Sequence, residues 1–445
     1  MTHDIAQALL DAARKAGADA ADAMVIDGTA VSIDVREGRL EQAERAEGLD
    51  LGLRVLIGKR QACVSSSDAK PEALAEMAAR AVAMAREAPE DPYIGLADAA
   101  QLGARRDAEG LELVDPSAEP DPEALLDDAC RAEAAARAVA GISQIDQAGA
   151  SYARRTIHLA ASNGFEGGYA RSSRSTFCVA ITGEGTAMER DWASESRIFQ
   201  ADLPDAETIG TEAGIRASAR FGSRKPPSGQ FPVLYDERVS SSLIGHLTSA
   251  INGVSITRGS SWLMDAMGQA VLPEGFDLIE DPLRARIPGT RPFDAEGLQT
   301  ARNPLITDGV LQRWVLDLAT ARKLGLESTA NASRGPTAPP SPSLSNLALT
   351  PGTASREDLI RDMGTGLLVT SLIGSTINPT TGDYSRGASG FWIENGEIAY
   401  PVNECTIAGN LRDMLMRMTR ANDARPHLST LVPSLLVEGL TIAGA

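Results

Sequence analysis

The sequence predicts an α+β fold in two parts: an N-terminal mixed α/β layer domain and a C-terminal β-dominated domain with few helices. Three observations lead there. The first half alternates Ala-rich stretches of helical period with runs of strand period, the pattern of helices laid on a mostly antiparallel sheet. The second half carries many short apolar segments separated by Gly, Pro, Ser and Thr, as short strands joined by turns do. Charge divides unevenly as well: residues 1–222 hold 23 basic and 38 acidic groups, a net of −15, against 19 and 22, a net of −3, in residues 223–445. Between the halves runs Gly222-Ser-Arg-Lys-Pro-Pro-Ser-Gly-Gln230, where Pro226 and Pro227 block helix and sheet continuation. The expected division is a first domain over 1–222, a linker over 223–230 and a second domain over 231–445.

In chain order, Ile5, Ala8, Leu9, Ala12, Ala13 and Ala16 recur at helical spacing and stop at Gly17, a left-handed cap. Residues 22–45 alternate apolar and polar, with Asp27-Gly28 and Glu37-Gly38 read as turn dipeptides, and residues 49–66 do the same around Gly58-Lys59. Helices are expected after Pro71 and Pro122, since proline suits a first helical turn. Residues 143–196 read as a second block of strands, and a helix over about 206–220 leads into the linker. In the second half, residues 231–235, 311–318, 366–373, 390–394 and 435–442 are the apolar segments. Residues 237–251 break that pattern with Val239, Leu243, Leu247, Ala250 and Ile251 at helical spacing. Residues 332–342, with four prolines, are expected as a surface loop.

Composition narrows function. With 445 residues, 43% hydrophobic and 23% charged, the chain is long enough and apolar enough for a globular core in each domain. Net charge −18 repels phosphate backbones and anionic headgroups, which argues against nucleic acid or membrane as partner. The longest nearly apolar run, residues 366–377, is too short for a spanning helix. Charged residues within the first twenty positions interrupt any signal-peptide core, so a cytoplasmic location is expected. Cys63, Cys130, Cys178 and Cys405 form no paired spacing, and there are four histidines, His3, His158, His246 and His427. A metal or acid–base site must be built from few residues.

No phosphate-cradle motif is present, and Gly387-Ala-Ser-Gly390 falls one residue short of a serine-hydrolase elbow, so both read as turn chemistry. Sequence-adjacent carboxylates such as Asp127-Asp128 and Glu280-Asp281 point apart and read as surface or caps. His246 lies on the helix over 237–251, but a zinc helix needs a second ligand a turn away and a glutamate base. Leu247, Thr248, Ser249 and Ala250 supply neither, which favours a structural or interface histidine.

Beyond these, Phe231-Pro-Val-Leu-Tyr-Asp236, Arg258-Gly-Ser-Ser-Trp-Leu263, Arg291-Pro-Phe-Asp-Ala-Glu-Gly297, Ala321-Arg-Lys-Leu-Gly325, Thr380-Thr-Gly-Asp-Tyr-Ser385, the segment 387–396 and Thr406-Ile-Ala-Gly-Asn-Leu411 together resemble the TldD/PmbA family. Gly52-Leu-Arg-Val-Leu56 and Ser162-Asn-Gly-Phe165 extend the likeness over the first half, and within the family it is to the PmbA branch, also called TldE. The resemblance implies a two-subunit metallopeptidase acting on unfolded or flexible peptides. One subunit, TldD-like, carries zinc on an H-E-x-x-x-H helix with a later cysteine; the PmbA-like subunit completes the peptide chamber. Here the corresponding helix segment, Leu243-Ile-Gly-His-Leu-Thr-Ser-Ala250, has one His and no Glu, and the later cysteine would fall near His427-Leu-Ser-Thr430, where there is none. The expectation is therefore a chain with no catalytic residues and no cofactor of its own, zinc residing in a TldD-like partner, and a homodimer possible when alone. Asp383, Tyr384, Ser385 and Arg386 are candidates for a substrate- or partner-facing loop, with a plain structural hairpin as the other reading. Two alternatives stand beside it: a divergent metallopeptidase active alone through His246, Cys405 and His427, and a homo-oligomeric peptide-binding scaffold.

Overall fold

Ala6, Leu9 and Ala13 bury one face of helix α1 (Thr2–Ala16), which ends where Gly17 takes φ 95° and returns its N–H to the last turn. The computed structural model describes residues 1–444, so Ala445, the last residue of the expected second domain, lies outside the described residues. After α1 come strands β1 (Ala20–Arg36), β2 (Arg39–Ile57) and β3 (Arg60–Ser66), helices α2 (Pro71–Glu87) and α3 (Pro122–Ala138), strands β4 (Ile142–Ala161), β5 (Glu166–Thr182) and β6 (Glu189–Arg197), and helix α4 (Ala206–Ser218). The six strands form one antiparallel sheet in the order β3-β2-β1-β4-β5-β6. Four of them run 17 to 20 residues, against about five or six in an ordinary strand. One helix pair cannot cover such a length. Helices α1 and α2 pack on Ala23, Val25, Leu51 and Leu53, while α3 and α4 pack on Val31, Ile33, Ala148 and Ala180 further along the same strands. Side chains alternate between faces, so Met24 and Leu159 point the other way, toward the second half of the chain.

Glu37-Gly38 and Gly58-Lys59 are the hairpin turns that the alternation predicts, but Asp27-Gly28 is not a turn. Both residues lie mid-strand in β1, paired on one side with Leu49 and Gly48 and on the other with Thr156 and Arg155. Gly28 serves close packing instead: a Cβ there would stand 3.0 Å from Arg155 Cγ and 3.1 Å from the Arg154 carbonyl.

The second half opens with β7 (Gly229–Tyr235), α5 (Glu237–Ala250) and α6 (Gly253–Thr257). Small elements follow: β8 (Leu278–Glu280), β9 (Asn303–Thr307), β10 (Val310–Leu311), α7 (Leu318–Leu324), β11 (Ala332–Ser333), β12 (Ser341–Pro342), β13 (Leu347–Leu349) and α8 (Arg356–Met363). The chain ends with β14 (Gly366–Ile377), β15 (Asp383–Glu394), β16 (Glu397–Asn410), α9 (Leu411–Met416), β17 (Met418–Arg420), β18 (Thr430–Leu431) and β19 (Leu435–Ala443). Pairing runs β7 to β14, β14 to β15, β15 to β16, β16 to β19 and β19 back to β7, so these strands close a barrel. Leu243 and Leu247 of α5 join its core with Tyr235, Leu367 and Trp392. Gly390 permits a close passage in β15, since a Cβ there would meet the Leu368 carbonyl at 1.9 Å, and Ser389 is a buried strand residue with no elbow around it. The fold is α+β as expected. Helices α7 and α8 were not among the expectations, although both carry capping boxes, Asp317 with Thr320 and Ser355 with Asp358.

The halves are joined by more than the linker. Arg224 is held by Pro401, Val402 and Asn403 and lies over the Tyr400 ring at 3.7 Å. Residues 332–342 are not simply a surface loop. Pro336 seats on Gly52 of β2, where a Cβ would come within 2.5 Å, and the fully enclosed Arg334 guanidinium reaches Asp22 of β1. That ion pair is 2.7 Å long but bent away from hydrogen-bond geometry, whereas Arg54 Nε, on the neighbouring strand, donates to the same carboxylate at 2.6 Å. Phe165 and Phe293 meet edge to face at 5.1 Å beside this junction. Replacing Asp22 by Ala strands two buried cations and is expected to cost about 3–5 kcal/mol, against less than about 1 kcal/mol for Arg14→Ala in the exposed pair with Asp11. Urea unfolding followed by circular dichroism checks the contrast; equal, small losses for both would remove the junction from its structural role.

Candidate functional site

Asp236 caps α5 by accepting from the Arg238 N–H, and its buried carboxylate also pairs with the Arg238 and Arg356 guanidiniums. This ties the start of the helix to α8, and the Asp236 N–H donates to the Val369 carbonyl of β14. Leu243, Ile244 and Leu247 take the inward positions, which leaves Gly245 and Ser249 exposed and His246 half-buried at the rim. The His246 ring stands 5.9 Å from the Tyr384 ring, edge to face, and its Nε2 is enclosed without a hydrogen-bond partner. Burial, with help from the Arg386 cation, lowers the His246 pKa and favours the neutral ring. The Tyr384 hydroxyl in turn accepts from the Tyr235 hydroxyl at 3.4 Å, and burial raises the pKa of both phenols.

The four residues expected on a loop, Asp383, Tyr384, Ser385 and Arg386, are the first residues of β15, so the hairpin reading describes them. Tyr384 points into the core at 2% exposure and cannot face a partner. Asp383 is exposed, but its carboxylate accepts from the Thr381 hydroxyl at 2.6 Å and the Asn410 amide at 3.0 Å, and these bonds hold its pKa below the usual range. Ser385 lies opposite Thr376 of β14, and Arg386 Nε donates to the Gly374 carbonyl at 2.7 Å. Beside them is a feature that the sequence did not single out. β14 pairs with β7 only over Leu367 to Val369, so the outer edge of residues 371–377 carries no neighbouring strand, and Ile373 is 68% exposed there. An open edge next to a helix rim is suited to adding an extended segment by backbone hydrogen bonds.

The three alternative metal ligands are not brought together. His246 is on α5. Cys405 lies in β16, its thiol against the Ala388 carbonyl at 3.1 Å, and burial pushes its pKa up to about 11, away from the thiolate a metal needs. His427 sits at the domain junction, 3.3 Å from Glu195, a carboxylate that also pairs with Arg197 and Arg425. Among the described residues one group of three metal-type ligands does converge, His3, His158 and Glu166, all in the first domain. A cavity of about 300 Å³ between the sheet and the second half holds Arg171, Arg291 and Asp294. Arg171 donates to the Pro288 and Thr290 carbonyls, and Asp294 accepts from three backbone N–H groups although burial raises it to about 6, while the Nε atoms of Arg171 and Arg291 have no hydrogen-bond partner. Neighbouring Glu296 is raised well above its ordinary value, by burial first and then by Asp294, and accepts from the Leu318 N–H. No helix among the described residues is long and apolar enough to cross a membrane.

Family models match three stretches: "PmbA/TldA metallopeptidase domain 1" over residues 21–85, the "central domain" over 115–221 and the "C-terminal domain" over 228–444. The first two lie within the single six-stranded sheet. The chain is 36% identical over 428 residues to "Metalloprotease PmbA" of Escherichia coli O157:H7, covering 96% of this chain and 92% of that one. It is 34% identical over 440 residues to the "Metalloprotease PmbA homolog" of Haemophilus influenzae, covering 98% and 94%. Among solved structures, a "putative modulator of DNA gyrase" from Bacteroides thetaiotaomicron superposes with TM-score 0.91 at 27% identity over 100% of this chain and 99% of that one. TldE from Thermococcus kodakarensis shares the fold, with TM-score 0.85 at 21% identity over 99% and 100%.

The two buried thiols make a checkable statement about reactivity. Cys405 and Cys178, the latter raised to about 12 by burial, are expected to stay unlabelled by iodoacetamide at pH 8 until the protein is unfolded. Mass spectrometry of the labelled peptides decides, and rapid native labelling of Cys405 would mean that the pairing of β15 with β16 opens there.

Proposed function

The chain belongs to the PmbA/TldD metallopeptidase family, in its PmbA branch, and from that membership we propose that it is the subunit without the catalytic zinc in a two-subunit peptidase acting on unfolded or flexible peptides. Its work is architectural. The observation that carries this reading is α5: at the place where the resemblance puts a zinc helix, one half-buried imidazole stands with no second histidine and no carboxylate on the exposed rim. Catalytic zinc takes three protein ligands and a base to manage its water, and a lone imidazole cannot hold it. Cys405 and His427 do not complete the set. In this reading zinc belongs to a TldD-like partner in the cytoplasm, and the unpaired β14 edge by α5 receives either the extended substrate or the partner that delivers it.

The pure chain is expected to cleave no peptide, and its mixture with a TldD-like subunit to cleave unfolded casein. Substituting the zinc-helix Glu of that subunit should abolish the activity, while His246→Ala should change it less than about tenfold, as a packing change does. Ile373→Lys at the open edge should reduce kcat/KM or co-purification of the mixture without lowering the melting temperature of the chain alone, because the side chain is exposed while a lysine on a strand edge opposes strand addition. Casein cleavage by the pure chain, lost in His246→Ala, would establish instead a peptidase active alone. A stable homo-oligomer that binds casein but never a TldD-like protein would establish the scaffold.

A further inference from the structure

His3, His158 and Glu166 are scattered in sequence, His3 and Glu166 being 163 positions apart, yet the fold collects them from three elements. His3 lies in the first turn of α1, His158 near the end of β4, and Glu166 is the first residue of β5 after a tight return of the chain. Their ligand atoms all lie within 4.8 Å of one another. His3 Nδ1 and His158 Nε2 both face Glu166 Oε1, the latter at 3.1 Å, and the two rings stand at 86° with centroids 5.6 Å apart, so neither stacks on the other. We propose that these three side chains bind one borderline divalent transition-metal ion, zinc foremost, at a site separate from the peptidase chemistry.

Two further observations support a built site. Gln7, one turn further along α1, donates to Glu166 Oε2 at 3.2 Å and orients the carboxylate so that Oε1 faces both imidazoles, the kind of outer support that metal carboxylates have. Gly168, paired with His158 across the β4–β5 ladder, leaves the recess the ring occupies: a Cβ there would stand 2.6 Å from His158 Nδ1. Two imidazole nitrogens and one carboxylate oxygen are a donor set that zinc accepts, with water completing four-coordination on the solvent side, where His3 is 56% exposed. The physical effect is a clip: the metal ties the start of α1 to the β4–β5 hairpin, which ordinary packing of Ala6 and Leu9 secures only further along the helix.

The purified full chain, stripped with EDTA and dialysed, is titrated with zinc sulfate by calorimetry, and its bound zinc is counted by mass spectrometry after gel filtration. About one zinc per chain is expected, with a zinc-dependent rise in melting temperature. His3→Ala, at an exposed position that leaves the core intact, and Glu166→Gln, which keeps an acceptor but removes the charge, should each weaken binding at least about a hundredfold and abolish the thermal shift. His246→Ala should retain the full zinc count, which separates this site from any reading of α5. Cobalt substituted for zinc should give visible absorption that His158→Ala eliminates. The proposal is overturned if the chain holds no zinc above background, or if the zinc count and cobalt absorption persist unchanged in His3→Ala and Glu166→Gln; a simple hydrogen-bonded triad gives the first of these results.

Discussion

One buried carboxylate fixes how the two halves of this protein meet. Asp22 lies between Arg54, on the adjacent strand of its own sheet, and Arg334, sent across from the second half. Desolvating three charges is costly, and an apolar junction of the same shape could be as stable. What charge adds is register: Arg334 has a partner at one depth along β1 only, and Pro336 can seat only where β2 carries Gly52. From that registration follow the edge-to-face contact of Phe293 with Phe165 and the position of the cavity beside it.

Local signals were legible wherever one residue type has one physical use. Gly17 after a helical run, proline at the start of α2 and α3, and Glu37-Gly38 between alternating segments each led to the element that forms. Glycine inside an alternating run has two uses, however, and Asp27-Gly28 took the second, close strand approach, which depends on Arg154 and Arg155 and is invisible from residues 22–45 alone. Residues 332–342 read as a loop because their partner Asp22 is remote in sequence. Helices α7 and α8 are short, seven and eight residues, so their capping boxes and terminal glycines, Gly325 and Gly364, enclose too few periodic positions to mark a helix.

The site was partly legible for a related reason. A missing ligand is a local fact, so the lack of a glutamate and second histidine beside His246 could be read directly from the sequence. A converging set of ligands is a global fact. Cys405 and His427 offered suitable chemistry and stand apart, while His3, His158 and Glu166 offered no spacing at all and stand together. Asp383-Tyr384-Ser385-Arg386 looked loop-like by composition, yet Tyr384 is drawn inward by the buried Tyr235, and the neighbouring free edge of β14 was set by where β7 ends.

The closure of the barrel has a consequence for how the protein is made. β7, the first strand of the second half, finds neither of its neighbours until much later: Val233 pairs with Leu367 on one side and with Val437 on the other. During vectorial synthesis the first sheet, complete by Arg197 and covered by α4, can consolidate as soon as it leaves the ribosome. The second half must wait, with that side of β7 unpaired, until β19 has emerged. Such high contact order makes the last strand a kinetic gate, and a nascent chain stalled before β19 presents an unclosed apolar ring that quality-control machinery can recognise.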